Sequence, residues 1–85
     1  MKKVEIYTSP YCGYCNAAKS LLSTKGVQFT EFDVSRDPAK RQEMMRRAPG
    51  KHTVPQIFVG KTHIGGCDEL HALEYDGKFD PMLLA

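Results

Sequence analysis

Apolar positions along this 85-residue chain switch repeatedly between a period of two and a period of three to four. Val4, Ile6 and Tyr7 predict a strand over Lys3–Tyr7, and Pro10 breaks the Thr8–Tyr11 stretch after it. From Cys12 to Lys25, Ala17, Ala18, Leu21 and Leu22 recur at helical spacing, and Gly26 supplies a left-handed stop. Val27 to Val34 reads as a second strand. Its alternation holds at Val27 and Phe29 and then shifts to Phe32 and Val34, which predicts a bulge or an edge irregularity. Asp37-Pro38 is an N-cap followed by proline at the first helical position, and that helix runs through Met44 and Met45 to Pro49-Gly50. Gln56–Val59 is a strand, Gly60-Lys61 a tight turn, and Thr62–Ile64 a short partner strand. Gly65-Gly66 opens a helix over Cys67–Tyr75 with Asp68 and Glu69 in its first turn, and Asp76-Gly77 ends it. Asp80-Pro81 starts a last helical turn, from which Phe79, Met82 and Leu83 would cover the sheet.

The order strand, helix, strand, helix, hairpin, helix implies an α/β fold. Two strands joined through a helix should run parallel with a right-handed crossover, and the two hairpin strands antiparallel. The expectation is a four-stranded mixed sheet with helices on both faces, forming one domain over residues 1–85. Hydrophobic content of 41% and charged content of 26% are those of an ordinary globular chain.

Three cysteines are too few for a disulfide scaffold. Met1-Lys2-Lys3 leads straight into a strand, and no apolar run follows that would serve as a signal peptide or membrane span. A cytoplasmic setting is therefore expected, and there a Cys-x-x-Cys pair is catalytic or metal-binding more often than structural. The net charge is only +2. Lys40, Arg41, Arg46, Arg47 and Lys51 cluster in mid-chain, either as a solvated helix face or as a surface that attracts anions. Nucleic acid is not an expected partner, because no aromatic residues are interleaved with these charges.

The chemistry concentrates at Cys12-Gly13-Tyr14-Cys15, where the first strand gives way to a helix. The unpaired N–H groups and the dipole of a helix N-terminus favour a thiolate at Cys12, the form that attacks disulfides. Cys15, one turn inside and more buried, is within reach to close a disulfide with Cys12. It reads as the resolving thiol, with a helix-packing role as the alternative. A zinc module would need four ligands, and no second Cys-x-x-Cys or Cys/His pair is present. His52, His63 and His71 show no ligand spacing and read as surface or strand residues.

Three segments in order, Cys12-Gly13-Tyr14-Cys15, Thr53-Val54-Pro55-Gln56-Ile57-Phe58 and Ile64-Gly65-Gly66-Cys67-Asp68-Glu69-Leu70, make the chain resemble a glutaredoxin of the small bacterial dithiol type over essentially its whole length. The resemblance implies a thioredoxin-like fold and glutathione-dependent thiol–disulfide exchange on glutathionylated or disulfide-containing proteins. It implies a cis peptide bond before Pro55, with the backbone of Val54 turned toward Cys12 to pair with glutathione as a neighbouring strand would. Thr53, Val54 and Pro55 are thus candidate glutathione contacts, as is Tyr14, whose alternative is core packing. At Gly66, Cys67 and Asp68, glycine lets the backbone approach closely and helix-opening N–H groups can hold a carboxylate. By resemblance that is the γ-glutamyl carboxylate, with Asp68 facing its ammonium; the alternative is a plain turn and cap. Cys67 would contribute packing and its backbone. Gln42 stands where relatives place a residue for the glycyl carboxylate, with Arg41 as the adjacent candidate.

Two departures stand out. Gly13 replaces the family's usual proline, and Ser9 stands where many members carry a lysine, which removes one cation near the thiolate. Relatives without the proline can bind a 2Fe-2S cluster between two subunits, ligated by the first cysteine of each and two glutathiones. The alternative function is therefore a cluster-binding or carrier protein, dimeric with Cys12 as ligand, where the plain oxidoreductase would be a monomer.

Overall fold

Val4 and Ile6 face one side of the first strand and Glu5 and Tyr7 the other, and the two hydrophobic layers of the fold are sorted by that alternation. The computed structural model describes all residues, Met1–Ala85. Its elements are β1 (Val4–Thr8), α1 (Gly13–Thr24), β2 (Thr30–Asp33), α2 (Pro38–Arg47), β3 (Gln56–Val59), β4 (Thr62–Gly65), α3 (Cys67–Tyr75) and α4 (Phe79–Leu84). The sheet order is β2-β1-β3-β4. β1 and β2 are parallel, while β3 runs antiparallel to both β1 and β4. This is the mixed, helix-flanked, thioredoxin-like sheet expected from the sequence.

Ala18 and Leu22 of α1, Leu70 of α3, and Phe79 and Leu83 of α4 pack with Val4, Ile6, Ile57 and Val59 on one face. Met44 and Ala48, at the end of α2, pack with Tyr7, Val34 and Phe58 on the other. Each fully buried Leu or Phe contributes about 1.5–3 kcal/mol. Asp37 caps α2 by accepting from the Lys40 N–H at 3.2 Å, with Pro38 behind it. No helix is long and apolar enough to cross a membrane.

Three local expectations are corrected. β2 covers only Thr30–Asp33, because Val27 is taken up by the closure that follows α1. The Val27 N–H donates to the Leu22 carbonyl at 2.9 Å and the Gly26 N–H to that of Ser23 at 3.0 Å, with Gly26 at φ +71. That pair of bonds is a Schellman closure, and the buried Val27 is its apolar contact. The bulge expected in β2 is absent, since its register with β1 is unbroken from Thr30 to Asp33. The irregularity lies between β3 and β4, where Ile57 pairs with Gly65 but Phe58 pairs with His63, leaving Ile64 as the extra residue. Finally, α4 begins at Phe79, and Met82 is half-buried where Phe79 and Leu83 are buried.

The basic run of mid-chain is only partly a solvated face. Arg47 folds onto the sheet, its guanidinium 4.0 Å from the Phe58 ring centroid, paired with Glu5 at 3.0 Å and donating to the Tyr7 hydroxyl at 2.8 Å. Tyr7 in turn donates to Glu43 at 2.6 Å, and Lys40 pairs with Glu43 at 2.9 Å. Burial, then the bond to Glu43, push the Tyr7 phenol up to about 12.

Candidate active site

The loop leaving β1 delivers Cys12 to the N-terminus of α1. Tyr11, at φ +62, is the only non-glycine residue in the left-handed region, and its ring is wholly in solvent. Cys12 has extended backbone and acts as the N-cap, its Sγ accepting from the Cys15 N–H at 3.2 Å. A half-exposed sulfur so placed has a fixed backbone donor aimed at it. Cys15 is fully buried, and burial followed by its bond with Cys12 pushes its thiol up to about 12. The two sulfurs are thus differentiated: one reachable and solvated, the other held as a protonated thiol one turn inside. They are not joined in a disulfide.

Beside Cys12 lies the loop before β3. Its Val54–Pro55 peptide bond is cis, and the Val54 carbonyl sits 3.8 Å from the Cys12 Sγ. From there a groove of about 340 Å³ extends along Tyr14, Lys51, Thr53, Val54, Pro55 and Gln56 to Gly65, Gly66, Cys67, Asp68 and Glu69. Tyr14 is 68% exposed, so its ring forms the rim and does not enter the core.

The far wall is shaped by two glycines. Gly65 has φ +123, and a side chain there would meet the Glu69 carboxylate at 2.7 Å. That carboxylate accepts from the Gly66 N–H at 2.6 Å and closes the start of α3. A Cβ on Gly66 would meet the Pro55 carbonyl at 3.3 Å, which shows how closely the two walls approach. Asp68 is exposed in the first turn of α3. Cys67 is buried, and its thiol is pushed up by burial first and then by Asp68, Cys12 and Glu69. The His71 Nδ1–H donates to the Cys67 carbonyl at 2.9 Å.

The structure therefore gathers Tyr14, Thr53, Val54, Pro55, Gly66, Cys67 and Asp68 around one groove that opens beside Cys12. It does not bring Gln42 or Arg41 there. Gln42 is exposed on α2, and Arg41 donates to the His52 carbonyl at 3.0 Å, just ahead of Thr53. Neither lines the groove. Lys51, Gln56, Gly65 and Glu69 line the groove although the sequence does not mark them as contacts. For Lys51 the one signal is its place in the basic run, two residues before Thr53. No three His, Cys, Asp or Glu side chains are gathered as metal ligands, so a cluster at Cys12 would take its other ligands from outside this chain.

The glutaredoxin family profile matches residues 4–64. The chain is 54% identical to Glutaredoxin 3 of Escherichia coli K12 over 83 residues, 98% of this chain and 99% of that protein. Among solved structures it is similar to the solution structure of glutaredoxin from Brucella melitensis, at 53% identity and TM-score 0.84, covering 98% of this chain and 89% of that one. It is also similar to the crystal structure of a buckwheat glutaredoxin–glutathione complex, at 31% identity and TM-score 0.86, covering 98% and 77%.

Proposed function

Because the chain belongs to the glutaredoxin family of thiol oxidoreductases, we propose that it is a glutathione-dependent disulfide oxidoreductase acting on glutathione mixed disulfides and protein disulfides. One observation carries this reading. The solvated Cys12 sulfur sits at a helix N-terminus, 3.8 Å from the Val54 carbonyl, at the end of a groove sized for a small peptide. The buckwheat glutaredoxin complexed with glutathione supports the choice of peptide.

In the proposed mechanism, glutathione lies extended along Thr53, Val54 and Pro55 and presents its γ-glutamyl end to Gly66, Cys67 and Asp68. The Cys12 thiolate attacks the glutathionyl sulfur of a mixed disulfide. A Cys12–glutathione disulfide forms, the original disulfide breaks, and the protein thiolate departs and takes a proton from solvent. A second glutathione, as thiolate, attacks the glutathionyl sulfur; oxidised glutathione leaves and Cys12 is regenerated as thiolate. With a protein disulfide, Cys12 forms the mixed disulfide with the substrate and Cys15 gives up its proton to resolve it. Two glutathiones then reduce the Cys12–Cys15 disulfide. The high value of the Cys15 thiol fits a group held in reserve until this second step. The whole span 1–85 acts as one cytoplasmic domain in this reading.

The test is the pair Cys12→Ser and Cys15→Ser. The first is expected to lose all activity. The second is expected to keep mixed-disulfide reduction and lose most action on protein disulfides; equal inactivation of both in the mixed-disulfide assay contradicts the scheme. A 2Fe-2S dimer is the second reading, favoured by the open space around Gly13 beside the half-exposed Cys12 sulfur. Colour on anaerobic purification with glutathione would distinguish it from a colourless monomer.

A further inference from the structure

Gln56 is only 3% exposed, yet its side-chain amide has partners on both sides. Its Nε2 lies 3.0 Å from the Thr53 carbonyl and 3.4 Å from the Thr53 hydroxyl, reaching back across the turn that opens β3. Its Oε1 lies 2.6 Å from the Nε2 of His63 on β4. The Thr53 carbonyl only accepts, so the amide NH₂ must face it and the amide oxygen must face His63. His63 therefore donates through Nε2–H. Burial, then Lys51, lower its basicity, and the ring rests against Phe58 at 4.9 Å between centroids.

The bulge at Ile64 matters here. His63 pairs with Phe58 on the α2 face of the sheet, two residues from Gln56, a diagonal distance that a side chain spans. The extra residue directly precedes Gly65 and Gly66, and a Cβ on Gly66 would meet the Pro55 carbonyl at 3.3 Å, at the opposite wall of the groove. The irregularity thus lies between His63, which supports the near wall, and the glycines of the far wall.

The geometry points to a positioning relay, His63 to Gln56 to Thr53, that fixes the Thr53–Val54 backbone in the orientation that receives the peptide half of a disulfide substrate. It rests on the reading that this groove receives glutathione. Neither His63 nor Gln56 touches the reacting sulfurs; the relay acts through the Thr53 carbonyl. Without the His63 donor, the Gln56 oxygen is left buried and unpaired, and the amide is free to rotate away from Thr53.

The test compares His63→Phe, which keeps a ring on Phe58 but removes the donor, with His63→Gln, which restores an N–H. For the mixed disulfide of cysteine and glutathione, His63→Phe is expected to raise KM about fivefold, on the order of the ordering cost that a pre-set backbone spares the ligand. Its kcat is expected to stay within about twofold of wild type, and His63→Gln to recover most of the KM change. An unchanged KM in His63→Phe, a fall in kcat alone, or no recovery in His63→Gln overturns the relay. The amide chemical shifts of Thr53 and Val54 should move in His63→Phe and return in His63→Gln; amides that stay in place also overturn it. If wild type fails to reduce the mixed disulfide, the functional reading falls on its own. The relay is then judged on the wild-type nitrogen-15 spectrum of His63, where a ring protonated at Nε2 supports it and a ring protonated only at Nδ1 refutes it.

Discussion

Gly65→Ala offers a measurable view of how the groove's far wall is held. At φ +123 an L residue is strained, at a cost of about 1–3 kcal/mol. Its Cβ would also lie 2.7 Å from the Glu69 carboxylate, which must then move and release the Gly66 N–H it accepts from at 2.6 Å. That bond is exposed, so its loss adds about 1 kcal/mol, below the range for charged bonds in buried settings. The sum is about 2–4 kcal/mol, which for a domain of this size is roughly 10–30 °C in melting temperature and leaves the chain folded at room temperature. Thermal melts of Gly65→Ala, Glu69→Ala and the double variant give the partition. Glu69→Ala alone should cost about 1 kcal/mol, and the double variant less than the two singles added, because the cap is lost only once. KM for a glutathione mixed disulfide should rise in Gly65→Ala as Gly66 and Cys67 shift. A melting temperature within about 4 °C of wild type, less than the ~1 kcal/mol a strained left-handed residue costs at minimum, or strictly additive costs would refute the reasoning.

Asp68→Ala should raise KM for glutathione mixed disulfides about three- to tenfold, the worth of one exposed charge-assisted contact, with the melting temperature nearly unchanged; unchanged kinetics would leave Asp68 only an acidic residue in the first turn of α3. Tyr7→Phe should alter the alkaline end of the stability profile. The unfolded chain loses the phenolic proton near 10 and the folded chain holds it to about 12, so this contribution is full below pH 10 and is lost as pH rises toward 12. The fall in denaturant midpoint between pH 8 and pH 11 should therefore be smaller in Tyr7→Phe than in wild type, and an equal fall counts against the buried Tyr7–Glu43–Arg47 arrangement.

Features that depend on neighbours along the chain are legible in the sequence. Asp37-Pro38 caps its helix, Gly26 stops another, and Gly66 opens α3 at Cys67, because each is a local backbone rule. Features that depend on distant partners are not. The phase shift between Phe29 and Phe32 marks the boundary between a helix closure and a strand, and the pattern alone does not separate that from a bulge. The bulge at Ile64 leaves no trace in a four-residue strand. Arg47 reads as one more solvated cation because its partners Glu5, Tyr7 and Phe58 come from two distant strands, β1 and β3. At the site, Tyr14, Thr53 to Gln56 and Gly65 to Glu69, drawn from the three motifs, share one groove beside Cys12, whereas Gln42, placed by analogy on a helix face, lies outside it. Gln56 belongs to the second of those motifs, but its service to Thr53 becomes visible only with His63 of β4 beside it.

The proposed function stands or falls on Cys12 being the sulfur that takes up glutathione. The decisive experiment is to incubate Cys15→Ser with oxidised glutathione near neutral pH and map the product by intact mass and peptide sequencing. The expected result is a single glutathione, attached at Cys12, with Cys67 unmodified behind its buried thiol. Glutathione on Cys67 with Cys12 free, or no adduct at all, would contradict the assignment.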